Sequence, residues 1–420
     1  LDHRDRPEGL AHCVLCDRPQ RTEFPDYCAG CGGPVVLPPA PVALPATTES
    51  TGAWRYAGRL PISQETAWLS MGEGQTPLVS ATSTRAWCAT ERLRYKLDHL
   101  NPSGSFKDRA TAVGIAQAIT QGAPAVVCAS SGNAAGSTAA YAARAGLPSV
   151  VLVPEAVPPG KAAVAQAHGA TVLRVRGDYS NSFQVARELA ARLGWLNLTT
   201  TFVNPVAVSG LRSAGYELAE QLSEVPDWIV VPIGSGPLVH GIVTAYQELR
   251  AAGMHTELPR ILGVQAHGCA PIVDAFDRDV ERVTPWPTVS TRISAISDPL
   301  RGYPSDGTYT LRLVRETRGA MVAVRDAEAE EAAEALARDE GLLIESGAAA
   351  NLAAVRTARD RGWIHQDELV VCMLTGHGIK TLAAAGRQEA PLVANTDDVI
   401  GQLPAHTTKA PEDLNDRVKR

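Results

Sequence analysis

Nowhere in this 420-residue chain does an apolar run approach the roughly 18–20 residues that a membrane-crossing helix needs. Positive charge is in the minority, with 39 Lys and Arg against 45 Asp and Glu and a net charge of −6. That balance argues against a protein that binds nucleic acid by broad phosphate neutralisation. Lysine itself is scarce: Lys96, Lys107, Lys161, Lys380, Lys409 and Lys419 are all there are. The opening residues, LDHRDRPEGLAHC, are charged and hold no apolar h-region, so no secretory signal is read there. HExxH and GxSxG are absent, which removes the usual signatures of hydrolytic chemistry. PPGKA, Pro158 to Ala162, does not satisfy the Walker pattern, and there is no internal repeat.

What is present is ordinary for a globular protein: 45% hydrophobic and 20% charged residues. That composition excludes a largely disordered chain, and the length implies two or three domains. Residues 1–37 form a cysteine- and glycine-rich island, and residues 38–50 a proline-rich linker. Residues 51–386 make the main body, with a polar tail at 387–420.

The body alternates apolar runs with Ala-rich stretches. AVVCAS reads as a buried strand, SVVLVPE and TVLRVRG as the next strands, and WIVVPIG, ILGVQA and LVVCMLTG as continuous apolar strands. NAAGSTAAYAARAG reads as a helix stopped at Gly146, and KAAVAQAHGA as another. This pattern predicts an α/β fold with parallel-rich sheets flanked by helices. Ligands of such sheets bind beyond the carboxyl ends of the strands.

The first chemical motif is Cys13-x2-Cys16-x11-Cys28-x2-Cys31. Two CxxC knuckles at this spacing complete a tetrahedral four-thiolate zinc site, structural because no position stays open. An island this small cannot bury enough core to fold unaided, and a metal supplies the missing stability. The competing readings are free thiols or a redox pair. Cys88, Cys128, Cys269 and Cys372 are scattered in apolar surroundings and read as small buried hydrophobes. This usage points to a reducing, cytoplasmic setting.

NPSGSFKDR, Asn101 to Arg109, places Lys107 where a Gly-Ser turn opens an Ala-rich helix. The positive helix end, with desolvation, lowers an amine's pKa and makes it nucleophilic toward carbonyls. A plain surface charge in a first helical turn is the competing reading. Ser130 to Asn133, SSGN, follows a strand and opens a helix, so it fits either a carboxylate site or an ordinary N-cap. GSGPLVHG, from Gly234, can cradle a phosphate on backbone N–H groups or can simply turn. In LTGHGIK, Thr375 ends a strand with its hydroxyl free to enter a cleft, while His377 is read as holding the turn.

A nucleophilic amine, a carboxylate site, a phosphate loop and a strand-end hydroxyl together suit pyridoxal phosphate. LSMGEGQTPLV, NPSGSFKDR, SSGN, GSGPL, GVQAHGCAPI, IESGAAA and LTGHGIK occur in the order of the fold type II pyridoxal phosphate enzymes. Over about Trp68 to Leu382 the chain resembles that family, and within it the threonine synthases, some of which carry a four-cysteine ribbon ahead of the body.

The resemblance implies a two-domain body preceded by a small zinc ribbon. A small mobile subdomain at about 110–225 would close over an amino-acid substrate. It implies that Lys107 carries the cofactor on its amine and later moves protons, and that Phe106 flanks the ring. Asn133 would bond O3′, and Gly234, Ser235, Gly236, Pro237 and Leu238 would hold the phosphate. Thr375 would meet the pyridine nitrogen, and Ser130 and Ser131 would receive the substrate carboxylate. The implied reaction is O-phosphohomoserine plus water to threonine plus phosphate, by a cytoplasmic homodimer with no nucleic-acid or membrane partner. A neutral Thr375 partner fits elimination and replacement better than transamination.

The chain departs from the family's usual pattern in SSGNAAGS, in GSGPL, at Ser297-Asp298-Pro299 and at Ser346. Those departures keep open a β-replacement enzyme, cysteate synthase-like or making an unusual amino acid. A non-catalytic zinc-stabilised binding protein on the same fold also stays open, as does a ribbon that docks a partner or a carrier domain.

Overall fold

The architecture comes from a computed structural model that describes residues 11–22, 26–39, 50–157, 162–254 and 257–384. Most of the proline-rich linker, Lys161 of PPGKA and the whole 387–420 tail lie outside the described residues. The chain divides into two compact units, Leu1–Lys380 and Thr381–Arg420, and only 381–384 of the second are described.

In the first unit the apolar runs become three sheets. The largest has six strands in the order Ala320–Val324, Arg260–Ala266, Trp228–Pro232, Leu369–Met373, Arg92–Lys96, Leu78–Ser80. All neighbours are parallel except the last pair. The second has four parallel strands, Thr171–Val175, Ser149–Pro154, Val126–Ala129 and Leu196–Asn197. Every residue of Trp228–Pro232, Leu369–Met373 and Val126–Ala129 is buried, as expected of parallel strands covered on both faces.

The cysteine island forms a small antiparallel sheet of Pro19–Gln20, Ala11–Cys13 and Val35–Val36.

Helices fill the crossovers. Lys107–Gln121 and Asn133–Ala145 are alanine-rich, so they pack closely on each other and on the sheets. Gly146 ends the second helix at φ +66, the left-handed stop expected from the sequence. Asn351, on the helix Ser346–Asp360, donates to the carbonyls of Val230 and Met373 at 3.1 and 2.8 Å. That one amide ties together two neighbouring strands whose carboxyl ends lead into the glycine loop and the Thr375 turn. Among the described residues, no helix is long and apolar enough to cross a membrane.

Candidate active site

Two of the motifs meet directly. Phe106 N–H donates to the Thr375 carbonyl at 3.0 Å, and His377 N–H donates to the Gly104 carbonyl at 3.0 Å. Ser105 and Gly376 thus form an antiparallel bridge between NPSGSFKDR and LTGHGIK. The first segment is anchored from below by a buried ion cluster. Arg109 donates to both oxygens of Asp98 at 2.8 and 2.9 Å and to both of Glu217 at 2.6 and 2.8 Å. Lys96 reaches Glu217 at 2.7 Å. Asn101 accepts from Gly74 N–H at 2.8 Å, which holds the GEGQTP turn against the same loop.

Lys107 is the first residue of its helix and is partly buried. Its Nζ lies 4.4 Å from the centroid of the Phe106 ring. Burial pushes the amine down to about 8, while the fields of Cys128, Glu345 and Asp298 hold it back from falling further. The surface-charge reading of Lys107 therefore fails. Its desolvation favours the neutral amine, the form that attacks a carbonyl.

Asn133 opens the helix Asn133–Ala145. Its Nδ2 donates to Glu345 at 2.9 and 3.1 Å, and its Oδ1 accepts from Lys380. Lys380 also donates to the Gly104 carbonyl at 3.0 Å. Burial raises the Glu345 carboxyl above its ordinary range, against the pull of Lys380, Asn133 and Lys107. Gly376 is needed here, because a Cβ on it would lie 1.9 Å from Glu345 Oε1. Thr375, beside it, is 4% exposed.

Ser130 and Ser131 are half-buried at the end of the strand Val126–Ala129. Ser130 Oγ accepts from Gly132 N–H at 3.2 Å, so this hydroxyl braces the turn, while Ser131 sits between it and Asn133.

The glycine loop follows Trp228–Pro232 and opens the helix Pro237–Ala251. Gly236 holds φ +111, and a Cβ there would come within 1.9 Å of Thr310 Oγ1. Thr310 in turn donates to the Ser235 carbonyl at 2.7 Å. Ser235 Oγ is buried with no partner among the described residues. A buried unpartnered hydroxyl is costly on its own. Placed at a helix start that bears free N–H groups, it fits an anionic ligand. Gly234, Ser235, Gly236 and Leu238 offer N–H groups there, while Pro237 offers only its shape. Ser105 Oγ, next to Phe106, is a second buried and unpartnered hydroxyl. These features fit the phosphate tail and ring of pyridoxal phosphate.

The four sulfurs of Cys13, Cys16, Cys28 and Cys31 lie within 4.8 Å of one another. Three of the pairs are 3.4, 3.5 and 3.7 Å apart. A tetrahedron with metal–sulfur bonds of about 2.3 Å has edges of about 3.8 Å, so the cluster is close to the shape of a loaded site. Gly32 turns at φ +69 and donates to the Cys28 carbonyl at 2.7 Å, forming the knuckle. All four thiols are unpaired as disulfides, and Cys88, Cys128, Cys269 and Cys372 are buried as expected.

Residues 69–376 match the model of the family described as pyridoxal-phosphate dependent enzyme. This chain belongs to that family. It is 33% identical over 398 residues to threonine synthase of Methanocaldococcus jannaschii, covering 92% of this chain and 97% of the relative. Threonine synthase of Methanosarcina acetivorans is 37% identical over 335 residues, 79% of this chain and 81% of that one. Among solved structures, the processed threonine deaminase isoform 2 of Solanum lycopersicum superposes with a TM-score of 0.63. It shares 19% identity over 84% of this chain and 99% of that one. Maize serine racemase gives 0.62 at 22% identity, over 74% and 91%. The protein is therefore a pyridoxal phosphate-dependent enzyme of the threonine synthase kind, with the fold type II architecture expected from its motifs. A small-molecule substrate of the amino-acid class is consistent with that membership.

Sequence alone does not single out Glu345 and Lys380. Both are within reach: Glu345 stands in IESGAAA, and Lys380 closes LTGHGIK as one of the few lysines. Their partnership with Asn133 spans 212 and 247 residues of chain, which only the fold reveals. His377 holds the turn, as expected. Its Nδ1 accepts from Ile379 N–H at 3.1 Å.

Proposed function

We propose that this enzyme converts O-phosphohomoserine and water to threonine and phosphate, and that Lys107 is its central catalytic group. The observation that carries this is the low-pKa amine of Lys107 at a helix start, bridged through Ser105 and Gly376 to the Thr375 turn. Bound here, pyridoxal phosphate supplies an aldehyde for the substrate amine and a ring that spreads the electron pair left at Cα.

The chain's own residues do the rest. Lys107 holds the cofactor, then takes and returns the proton at Cα. Phe106 lies along the ring, and Asn133 donates to O3′. Ser235 and the N–H groups of Gly234, Gly236 and Leu238 take the phosphate, with Pro237 fixing the helix start. Thr375 meets the pyridine nitrogen as a neutral hydroxyl, which favours elimination and replacement. Ser130 and Ser131 receive the substrate carboxylate. The segment at about 110–225 acts as a small subdomain that closes over substrate, within a body of 51–386. Cys13, Cys16, Cys28 and Cys31 bind one structural zinc in a ribbon of residues 1–37. The enzyme works as a cytoplasmic homodimer.

The Ser297-Asp298-Pro299 turn departs from the family's usual pattern, and a β-replacement enzyme is the second reading. A panel of O-phosphohomoserine, O-phosphoserine, O-phosphothreonine and O-acetylserine decides between them, with phosphate or acetate release as the signal. We expect phosphate from O-phosphohomoserine, and loss of both turnover and the visible-edge absorbance in Lys107→Ala. Turnover of O-phosphoserine or O-acetylserine alone would replace the first reading by the second.

A further inference from the structure

Tyr27 belongs to the cysteine ribbon, yet its side chain leaves the sulfurs and enters the body of the enzyme, where it is only 9% exposed. Its hydroxyl donates to Asp306 Oδ2 at 3.0 Å. Its ring stacks on Tyr303, with centroids 6.5 Å apart and planes 26° apart, and meets Phe183 edge-on at 6.3 Å. Arg187 lies over the same ring at 5.4 Å and pairs with Asp26 at 2.8 Å. Phe183 and Arg187 stand on Tyr179–Leu193, a helix packed on the four-stranded sheet. Tyr303 and Asp306 stand at the start of Pro304–Glu316, a helix that contacts the six-stranded sheet. One ribbon side chain therefore touches both layers.

The contact continues toward the active site. Tyr303 Oη donates to Asp298 Oδ1 at 2.9 Å, and Leu300 N–H donates to the same oxygen at 2.9 Å. Leu300 holds φ +55, an unusual backbone for leucine, so the turn is set by these bonds and not by local preference. The Asp298 Cβ would lie 3.6 Å from a Cβ placed on Gly234, the first residue of the phosphate loop. Lys107 feels the Asp298 carboxylate, together with Glu345 and Cys128. Arg301, from the same turn, reaches across to Asp178 at 2.9 Å.

We propose that Tyr27 and Tyr303 are positioning residues of the active site, a relay through which the cysteine ribbon orients Asp298 beside the Gly234 loop and Lys107. The proposal rests on the reading of Lys107 and residues 234–238 as the cofactor site. In it, the ribbon does more than cover apolar surface: the Tyr27 hydroxyl, held by Asp306, sets the Tyr27 ring against the Tyr303 ring, and the Tyr303 hydroxyl fixes the carboxyl. Phe183 packs on both rings, with centroids 4.7 Å from Tyr303, so a helix of the four-stranded layer touches the same relay.

Phenylalanine substitutions separate the relay from plain packing, since they keep the rings and remove only the hydroxyls. The full-length holoenzyme, Tyr303→Phe and Tyr27→Phe are compared in phosphate release, in the pH midpoint of the cofactor's visible absorbance, and in melting temperature. We expect Tyr303→Phe to lower kcat about tenfold, the usual worth of a hydrogen bond to a charged group. KM should stay within about twofold and the absorbance midpoint should move. Tyr27→Phe should act in the same direction, by about threefold.

An unchanged kcat and midpoint in Tyr303→Phe, whatever its melting temperature, overturns the relay and leaves core packing. A silent Tyr27→Phe beside an affected Tyr303→Phe overturns the ribbon's share. Should Tyr303→Phe not fold, Tyr27→Phe carries the decision alone, because it leaves the bond to Asp298 in place. If the parent releases no phosphate, the functional reading fails by itself, and the absorbance midpoint still judges the relay.

Discussion

Lys107 shows how far one residue's surroundings can set a chemistry. An amine attacks an aldehyde only after losing its proton. Burial has already brought that loss to about pH 8, against the opposing fields of Cys128, Glu345 and Asp298. The apoenzyme's uptake of pyridoxal phosphate should therefore quicken with pH, about tenfold per unit below 8, and level off above it. Stopped-flow absorbance on mixing apoenzyme with cofactor, from about pH 6 to 10, measures this. Glu345→Gln removes one charge that favours the protonated amine, so the same curve should shift to lower pH. A flat profile would mean that another group limits capture.

At this scale the sequence is informative where the local context is enough. Lys107 at a Gly-Ser turn before an Ala-rich run can be picked out of six lysines. Glu345 and Lys380 cannot be given a role in the same way, because nothing adjacent to them in the chain says that they share Asn133.

Secondary-structure elements are legible wherever burial on both faces produces a continuous apolar run. Trp228–Pro232, Arg260–Ala266 and Leu369–Met373 all stand where such runs predict them. Leu78–Ser80 carries no such signal. It is three residues long, half-buried, and antiparallel at the sheet's edge, so neither length nor alternation marks it. Strand order is also out of reach, since it depends on pairings between distant segments.

The element that presents Lys107 depends on the ion cluster beneath it. Glu217 is buried between Arg109 and Lys96, which overcome its desolvation and pull its carboxyl down to about 2. A folded-state value below the ordinary one means that its contribution is present above about pH 4.5 and is lost as pH falls toward 2. Glu217→Gln leaves two buried cations without their shared partner. It should cost about 3 kcal/mol of stability, seen as a lower urea midpoint at neutral pH. In acid titrations the variant should lack the parent's loss of stability across that window. Unchanged urea and acid curves would show that Asp98 alone balances the cluster.

At the scale of the whole molecule, the ribbon is joined to the enzyme and is not an appended module. Tyr27 and Val36 lie in the largest apolar cluster, while Ala11, Cys13, Cys28 and Val35 form a small one of their own. Further bonds fasten it: Ser305 Oγ to the Gly32 carbonyl at 3.1 Å, Arg312 to the Val14 carbonyl at 3.0 Å, and Gln117 to the Thr22 carbonyl at 3.0 Å. A ribbon held on so many sides is poorly suited to docking a carrier domain, a role that cysteine spacing by itself leaves open.

The ribbon's own core of Ala11, Cys13, Cys28 and Val35 is slight, so the proposed zinc would supply much of its stability. Metal analysis of the purified chain should give one zinc per molecule. Cys16 is exposed and contributes little packing, so Cys16→Ser tests the metal with almost no loss of core. That variant should lose the zinc and melt at a lower temperature, and a strong chelator should do the same to the parent. Cys88→Ser, which changes a buried thiol far from the cluster in sequence, should keep its zinc even if it is less stable. A parent chain free of metal, or a Cys16→Ser variant that keeps a full equivalent with an unchanged melting temperature, would leave the sulfurs as four ordinary thiols. The ribbon's fold would then have to come from its contacts with the enzyme alone.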